Sequence, residues 1–127
     1  MRAYFDYNAS AVVLPETRDA VARALADCHG NPSSMHSFGA RAGDEVAAAR
    51  KKIMSLLGAT LPNEIVFTSG GSEADNLAIT GTLKAFPDKK HLITTEVEHP
   101  AVLGLCRDLE KRQGYEVTYL KVDDQGH

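Results

Sequence analysis

The sequence predicts an α/β fold in which a mostly parallel sheet is flanked by helices. From residue 64 onward, short runs rich in β-branched and aromatic residues alternate with longer helical stretches. Strands and helices that alternate in this way favour a parallel sheet covered on both faces. With 127 residues, 43% of them hydrophobic and 24% charged, the chain has an ordinary globular composition and is long enough for one domain.

The first half of the chain predicts two helices and a shaped loop. Pro15 suits a first helical turn, and an apolar stripe continues from there to about Asp27. The segment 30–36, Gly-Asn-Pro-Ser-Ser-Met-His, is rich in turn residues and should form a loop. The second helix is predicted over residues 37–57, where apolar residues recur at helical intervals and Gly58 follows as a stop.

The second half predicts three strands separated by two helices. The strands are expected at residues 64–68, which breakers flank, at residues 92–95, and at residues 115–122, which a turn follows. The helices are expected from Ser72 to Ala85 and from Pro100 to about Gln113. The predicted order is therefore β-α-β-α-β.

Charge and cysteine usage exclude several classes of partner. The net charge is −3, and the longest run of like charge is residues 50–52, Arg-Lys-Lys, so neither nucleic acid nor an anionic membrane is expected as a partner. The first residues lack the apolar region of a secretory leader, which indicates a cytoplasmic protein. Cys28 and Cys106 lie far apart without C-x-x-C spacing, so we expect core thiols rather than a disulfide or a zinc site.

The turn after the first predicted strand is a candidate phosphate site, because parallel sheets bind ligands beyond the carboxyl ends of their strands. Gly70 and Gly71 permit unusual backbone torsions and close approach, and Ser72 begins a helix whose first amides lack partners. A hydroxyl from Ser69 or Ser72 can add a donor. The alternative is that Ser72 only caps the helix, with Asp75 completing something close to a capping box. Neither the triphosphate nor the dinucleotide glycine signature is present, so a small phosphorylated cofactor is expected.

His99 follows the second predicted strand and is held in its loop by Pro100. Its imidazole could transfer protons near neutral pH and stack on an aromatic cofactor. The alternative is a surface or structural histidine, and the adjacent Glu98 is expected to be solvated. A metal site that combined these two residues with His29 and His36 would lack any helix-spaced ligand pair, so no metal is expected.

Five blocks, in this order and spanning nearly the whole chain, resemble the cysteine desulfurases of the class V aminotransferase family. They are residues 4–9 (YFDYNA), 30–39 (GNPSSMHSFG), 65–78 (IVFTSGGSEADNLA), 98–103 (EHPAVL) and 117–123 (VTYLKVD). The resemblance implies an incomplete part of the large domain of a fold-type I transferase that uses pyridoxal 5'-phosphate. Residues 1–14 would belong to the small domain and residues 15–127 to the large cofactor-binding domain.

The same resemblance implies roles for five residues. Gly71 and Ser72 would bind the cofactor phosphate, and His99 would stack on the pyridine ring and assist proton transfer. Asn8 and Asn31 would lie in the loops that shape the substrate entrance. The family commonly has threonine where this chain has Ser72, a change that keeps the hydroxyl. The stretch that follows Asn8 also departs from the family pattern.

The resemblance further implies conversion of L-cysteine to L-alanine, with persulfide sulfur delivered to an acceptor or scaffold protein. The sulfur would serve iron-sulfur cluster assembly and, in one branch, nitrogen fixation, and the enzyme would be a homodimer. Family members continue well beyond His127, where the Schiff-base lysine and the catalytic cysteine are expected, so this chain alone should be inactive. Alternatives within the fold are a selenocysteine lyase, a kynureninase-like hydrolase or an aminotransferase. Outside it, the alternative is a non-catalytic α/β phosphate-binding module.

Overall fold

The computed structural model describes residues 2–127 as an α/β arrangement of helices and a short parallel sheet. The elements in chain order are α1 (Pro15–Asp27), α2 (Ser37–Leu57), a 3-10 turn (Pro62–Glu64), α3 (Gly71–Ala85), β1 (His91–Thr95), α4 (Pro100–Gln113) and β2 (Glu116–Leu120). The chain forms two compact units, one that ends at Val66 and one that spans Phe67–His127. Each unit is described by itself below.

In the first unit, α1 and α2 begin and end where the sequence predicts. Pro15 occupies the first turn of α1, where its missing N–H is not needed. The imidazole Nδ1 of His36 caps α2 by accepting the amide N–H of Gly39 at 3.1 Å. Helix α2 ends at Gly58, whose φ of 72° is the left-handed conformation that glycine adopts without strain.

The loop before α2 packs very closely against the start of that helix. A Cβ on Gly30 would lie 2.1 Å from the carbonyl oxygen of Phe38, and one on Gly39 would lie 2.2 Å from that of Ser34. The Ser34 amide also donates to the carbonyl of Asn31 at 3.0 Å. The two glycines therefore permit a backbone approach that no other residue would allow.

The second unit contains a parallel β-α-β arrangement, which confirms the predicted type of sheet. β1 and β2 pair in parallel from His91 opposite Glu116 to Thr95 opposite Leu120. The connecting helix α4 packs against β2 and against α3. Cys106 and Leu109 on α4 are buried at 1% and 2% exposure, so Cys106 is a core thiol as predicted.

The predicted first strand is wrong. Glu64 ends the 3-10 turn, and its carboxylate accepts the amides of Leu61 at 2.8 Å and Thr60 at 2.6 Å. These bonds, that of Leu61 foremost, hold the pKa of Glu64 below its ordinary value. Residues 65–68 are not assigned to any strand, although Ile65 has extended torsions. A strand needs a hydrogen-bonded neighbour, and among residues 2–127 only β1 and β2 pair with each other.

Burial is limited in the described part of the chain. The buried hydrophobic residues there are Ala42, Cys106 and Leu109, whereas Cys28 is half-buried. The apolar stripe of α1 is not covered, because Leu25 is 77% exposed. Between residues 2 and 127, no helix has both the length and the apolar character needed to cross a bilayer.

Candidate functional site

The start of α3 presents backbone amides to solvent. Its first backbone hydrogen bond runs from the Ala74 amide to the Gly70 carbonyl at 3.1 Å. The amides of residues 71–73 precede that bond and so have no acceptor inside the helix. Because the helix dipole places partial positive charge at this end, the amides are suited to hold an oxyanion.

The two glycines of this turn contribute open space rather than unusual torsions. Gly70 has φ 167° and ψ 179°, an extended conformation open to any residue, and the glycines with left-handed torsions lie elsewhere. The expectation of special torsions at Gly70 and Gly71 is therefore wrong. A Cβ on either glycine would have no atom within 4 Å, so this surface can be approached closely by a ligand.

Ser72 does not cap α3, which contradicts the capping alternative. The helix begins one residue earlier than predicted, at Gly71, and the capping position falls on Gly70, which has no side chain to offer. Ser72 is thus the second helical residue, and it is exposed. A serine at this position in the first turn can add a hydroxyl donor to the free amides for a bound anion.

Glu73 closes the turn from the helix side, a role that the sequence reasoning missed. Its carboxylate accepts a hydrogen bond from the Ser69 hydroxyl and another from the Ser69 amide, the latter at 2.6 Å. These two bonds, the hydroxyl first, hold the pKa of Glu73 below its ordinary value. Because Ser69 is engaged in this way, Ser72 is the better hydroxyl donor for a ligand. An acidic residue in a first helical turn is the local signal that could have identified Glu73.

His99 lies at the start of α4 and caps it. Its Nδ1 accepts the amide N–H of Ala101 at 3.1 Å, and Pro100 follows as the first helical residue. Since Nδ1 acts as an acceptor, the neutral imidazole carries its proton on Nε2. The ring is exposed, so this N–H can reach a ligand.

Asn76 connects the starts of the two helices and was not identified from the sequence. Its Nδ2 donates to the Ser72 carbonyl at 2.8 Å and to the Ala101 carbonyl at 3.5 Å. The first bond lies within α3, and the second reaches across to α4. The turn that carries Ser72 and the loop that carries His99 are therefore part of one local network.

Asn8 and Asn31 both lie in the first unit, in short turns. Asn8 is the middle residue of a turn that is closed by the Ala9 amide donating to the Asp6 carbonyl at 3.2 Å. The Asn31 side chain accepts the Ser33 amide at 2.9 Å and so shapes its own loop. Their roles at a substrate entrance stay predictions.

The remaining polar candidates have local structural roles. Glu98 is exposed, as expected, and accepts a hydrogen bond from the Thr95 hydroxyl at 3.4 Å. The rings of His29 and His36 lie 5.2 Å and 6.2 Å from that of Phe38. Within residues 2–127, no three histidine, cysteine or acidic side chains are grouped as metal ligands.

Cys106 is unsuited to act as a nucleophile. Burial raises the pKa of its thiol, and the negative charge of Glu98 raises it further. A reactive cysteine needs the opposite shift, because the thiolate is the nucleophile. This agrees with the prediction that Cys106 is a core residue.

The start of α3 has amides without intrahelical partners, and an exposed imidazole begins α4, the helix that connects the two parallel strands. This arrangement is typical of the α/β class, whose members bind ligands beyond the carboxyl ends of their strands. The chain belongs to the class-V aminotransferase family, whose model matches residues 3–127. This confirms the family predicted from the five sequence blocks.

Curated relatives are named cysteine desulfurases. The chain is 54% identical to the cysteine desulfurase of Trichormus azollae over 123 residues, which are 97% of this chain and 30% of that protein. It is 45% identical to the cysteine desulfurase of Azospirillum brasilense over 124 residues, 98% of this chain and 31% of that protein. The chain thus spans less than a third of the length of these relatives.

Solved structures confirm the fold class. A structure of SspA in complex with cysteine superposes with a TM-score of 0.82 at 43% identity, over 92% of this chain and 33% of that one. A NifS-like protein superposes with a TM-score of 0.86 at 35% identity, over 94% of this chain and 33% of that one. The chain therefore has the fold of the corresponding third of these proteins.

Proposed function

We propose that the whole protein carrying this chain is a pyridoxal-phosphate-dependent cysteine desulfurase. It converts L-cysteine to L-alanine and passes persulfide sulfur to an acceptor or scaffold protein for iron-sulfur cluster assembly, with nitrogen fixation as one pathway served. The observation that carries the proposal is the joined pair of helix starts, with Ser72 on one and His99 on the other. Relatives named cysteine desulfurase and a solved structure that contains cysteine support this choice of substrate.

The described residues fit the phosphate and the ring of this cofactor. The amides of residues 71–73 and the Ser72 hydroxyl supply donors, and the space beside the glycines leaves room for the phosphate oxygens. His99 supplies a flat ring whose Nδ1 is tied to α4, so it exchanges protons through Nε2. When bound, pyridoxal phosphate supplies an electron sink for reactions at the amino-acid carbon.

The rest of the machinery is proposed to lie outside this chain. The Schiff-base lysine and the persulfide-forming cysteine would belong to the part of the relatives' length that this chain does not match. Asn8 and Asn31 would border the substrate entrance, with residues 1–14 in a small domain. The complete enzyme would be a cytoplasmic homodimer.

Turnover by the complete protein tests this function. The complete protein is expressed, loaded with pyridoxal phosphate and supplied with L-cysteine. Alanine and protein-bound persulfide are then measured. We expect equimolar alanine and sulfur, and the same protein stripped of cofactor is the control. Turnover of selenocysteine or kynurenine without alanine from cysteine would instead support another class V reaction, and no cofactor binding at all would contradict the proposal.

Cofactor affinity should depend on the presence of a hydroxyl at position 72, and it should matter little whether serine or threonine carries it. A hydrogen bond to a charged phosphate is worth about 1.5–3 kcal/mol, so Ser72→Ala should weaken pyridoxal-phosphate binding about tenfold or more. Ser72→Thr keeps the hydroxyl and should bind within about threefold of wild type. The measurement is an absorbance titration of the cofactor-free complete protein.

Ser55→Ala, the same change at an exposed position on α2, is the matched control and should leave the affinity unaltered. Equal binding by Ser72→Ala and wild type would rule out a phosphate contact at this hydroxyl.

A further inference from the structure

The Asn76 amide lies where α3 meets α4. Its nitrogen carries two N–H groups, and the structure uses them in two directions: the Ser72 carbonyl at 2.8 Å and the Ala101 carbonyl at 3.5 Å. The first acceptor belongs to the residue that would bind phosphate. The second acceptor is the carbonyl of Ala101, which lies two residues after His99 in the chain.

Both backbone polar groups of Ala101 are hydrogen-bonded to side chains. Its carbonyl accepts from Asn76, and its amide donates to Nδ1 of His99 at 3.1 Å. A continuous chain of hydrogen bonds thus runs from the Ser72 carbonyl through the Asn76 amide and the Ala101 backbone to the imidazole. A shift of α4 along α3 would break this chain at the bond to Ala101.

We infer that Asn76 is a positioning residue, which sets the place of the His99 ring relative to the phosphate-binding start of α3. The inference rests on the proposed function and extends it to a residue that does not touch the cofactor. Two fixed points are needed to orient a flat ligand that has a phosphate at one end and a ring at the other. The Asn76 amide joins the elements that carry those two points.

The bond inside α3 would not by itself require asparagine. Thr82 makes the equivalent bond, donating from its hydroxyl to the Ala78 carbonyl four residues back at 2.8 Å. Asparagine is also a poor residue for a helix interior, because its side chain competes for backbone groups. What distinguishes Asn76 is the second donor, which reaches α4. Aspartate has nearly the same shape but no N–H to donate, so Asn76→Asp isolates the donors from the packing.

A double-mutant cycle in the complete, cofactor-loaded protein tests the coupling. Asn76→Asp and Asn76→Ala are each combined with His99→Asn, and kcat/KM for alanine formation is measured. Both substitutions remove the two Asn76 donors, of which only the one to the Ala101 carbonyl joins the helices, and they should lower kcat/KM about fivefold in the presence of His99. With the imidazole already removed, the same substitution should change the rate less than about twofold. Thr82→Ala, which removes only an intrahelical bond, is the matched control and should leave both backgrounds unchanged.

The possible outcomes distinguish the positioning role of Asn76 from the roles proposed for Ser72 and His99. An equal loss from Asn76→Asp with and without His99 would mean a purely structural role and would overturn the inference alone. If Ser72→Ala and His99→Asn both left cofactor binding and turnover unaltered, the site assigned to Ser72 and His99 would be wrong and the inference with it, whereas a complete protein that forms no alanine from cysteine would contradict the proposed function itself. Asn76→Ala guards against a misfolding artefact of the added charge, and a shift in the absorption maximum of the bound cofactor in both Asn76 variants would support displacement of the ring.

Discussion

Replacing His99 with asparagine in the complete protein is expected to lower kcat for alanine formation at least about a hundredfold, because a positioned general acid or base contributes about that much or more. Folded stability should stay close to that of wild type. Asparagine is a preferred N-cap residue, and its side-chain oxygen can accept the Ala101 amide that now bonds to Nδ1. The substitution therefore removes the imidazole and keeps the cap.

His99→Ala removes both the imidazole and the helix cap. Comparison with His99→Asn, which keeps the cap, therefore separates the two effects. His99→Ala should show the same loss of turnover together with a loss of about 1 kcal/mol in the free energy of unfolding, the usual cost of a missing cap. The stability of both variants is measured by urea unfolding of the complete protein, and turnover by alanine formation.

His91→Asn is the matched histidine control in the same unit. The His91 ring lies 2.7 Å from the Thr118 hydroxyl across the strand pair, and its loss should change turnover less than about twofold. Full activity of His99→Asn would show that this histidine has no catalytic role, which agrees with the sequence alternative of a surface or structural histidine.

The elements that were predicted correctly are those whose signals are local. Proline in the first turn predicted the start of α1, and glycine just past the last turn predicted the end of α2, each from a few neighbouring residues. The segment 64–68 has the composition of a strand, but a strand exists only with a partner that can lie far away in the chain. Composition cannot supply that partner, so this prediction failed where β1 and β2, which pair with each other, succeeded.

The same distinction applies to the site. Ser72 and His99 could be proposed from the sequence because each residue follows an apolar run, and α/β proteins bind ligands beyond the carboxyl ends of their strands. Their roles stay predictions. Glu73 could have been found from its place in a first helical turn, since its bond to Ser69 is local. The interhelical bond of Asn76 could not, because it depends on how α3 packs on α4. Candidate site residues can be recognised in the sequence, but the hydrogen-bond network that orients them can be seen only in the packed structure.

Replacing Gly39 with alanine is expected to destabilise the complete protein by about 3 kcal/mol, at the upper end of what overpacking usually costs. A Cβ at this position would lie 2.2 Å from the Ser34 carbonyl oxygen and 2.7 Å from that of Asn31. Both atoms belong to the backbone, so they cannot rotate away as the end of a flexible side chain could. The loop that carries Asn31 must therefore move off α2.

Gly104→Ala is the matched control, because Gly104 also lies in a helix but has no atom within 4 Å of an added Cβ. Alanine there removes the entropic disadvantage of glycine and should stabilise the protein by about 0.5–1 kcal/mol. The two substitutions are chemically identical, so opposite shifts of the urea midpoint would isolate the steric effect of the loop. A shift in the same direction for both would contradict the close approach of residues 31 and 34 to Gly39 and, with it, the shape of the proposed substrate entrance.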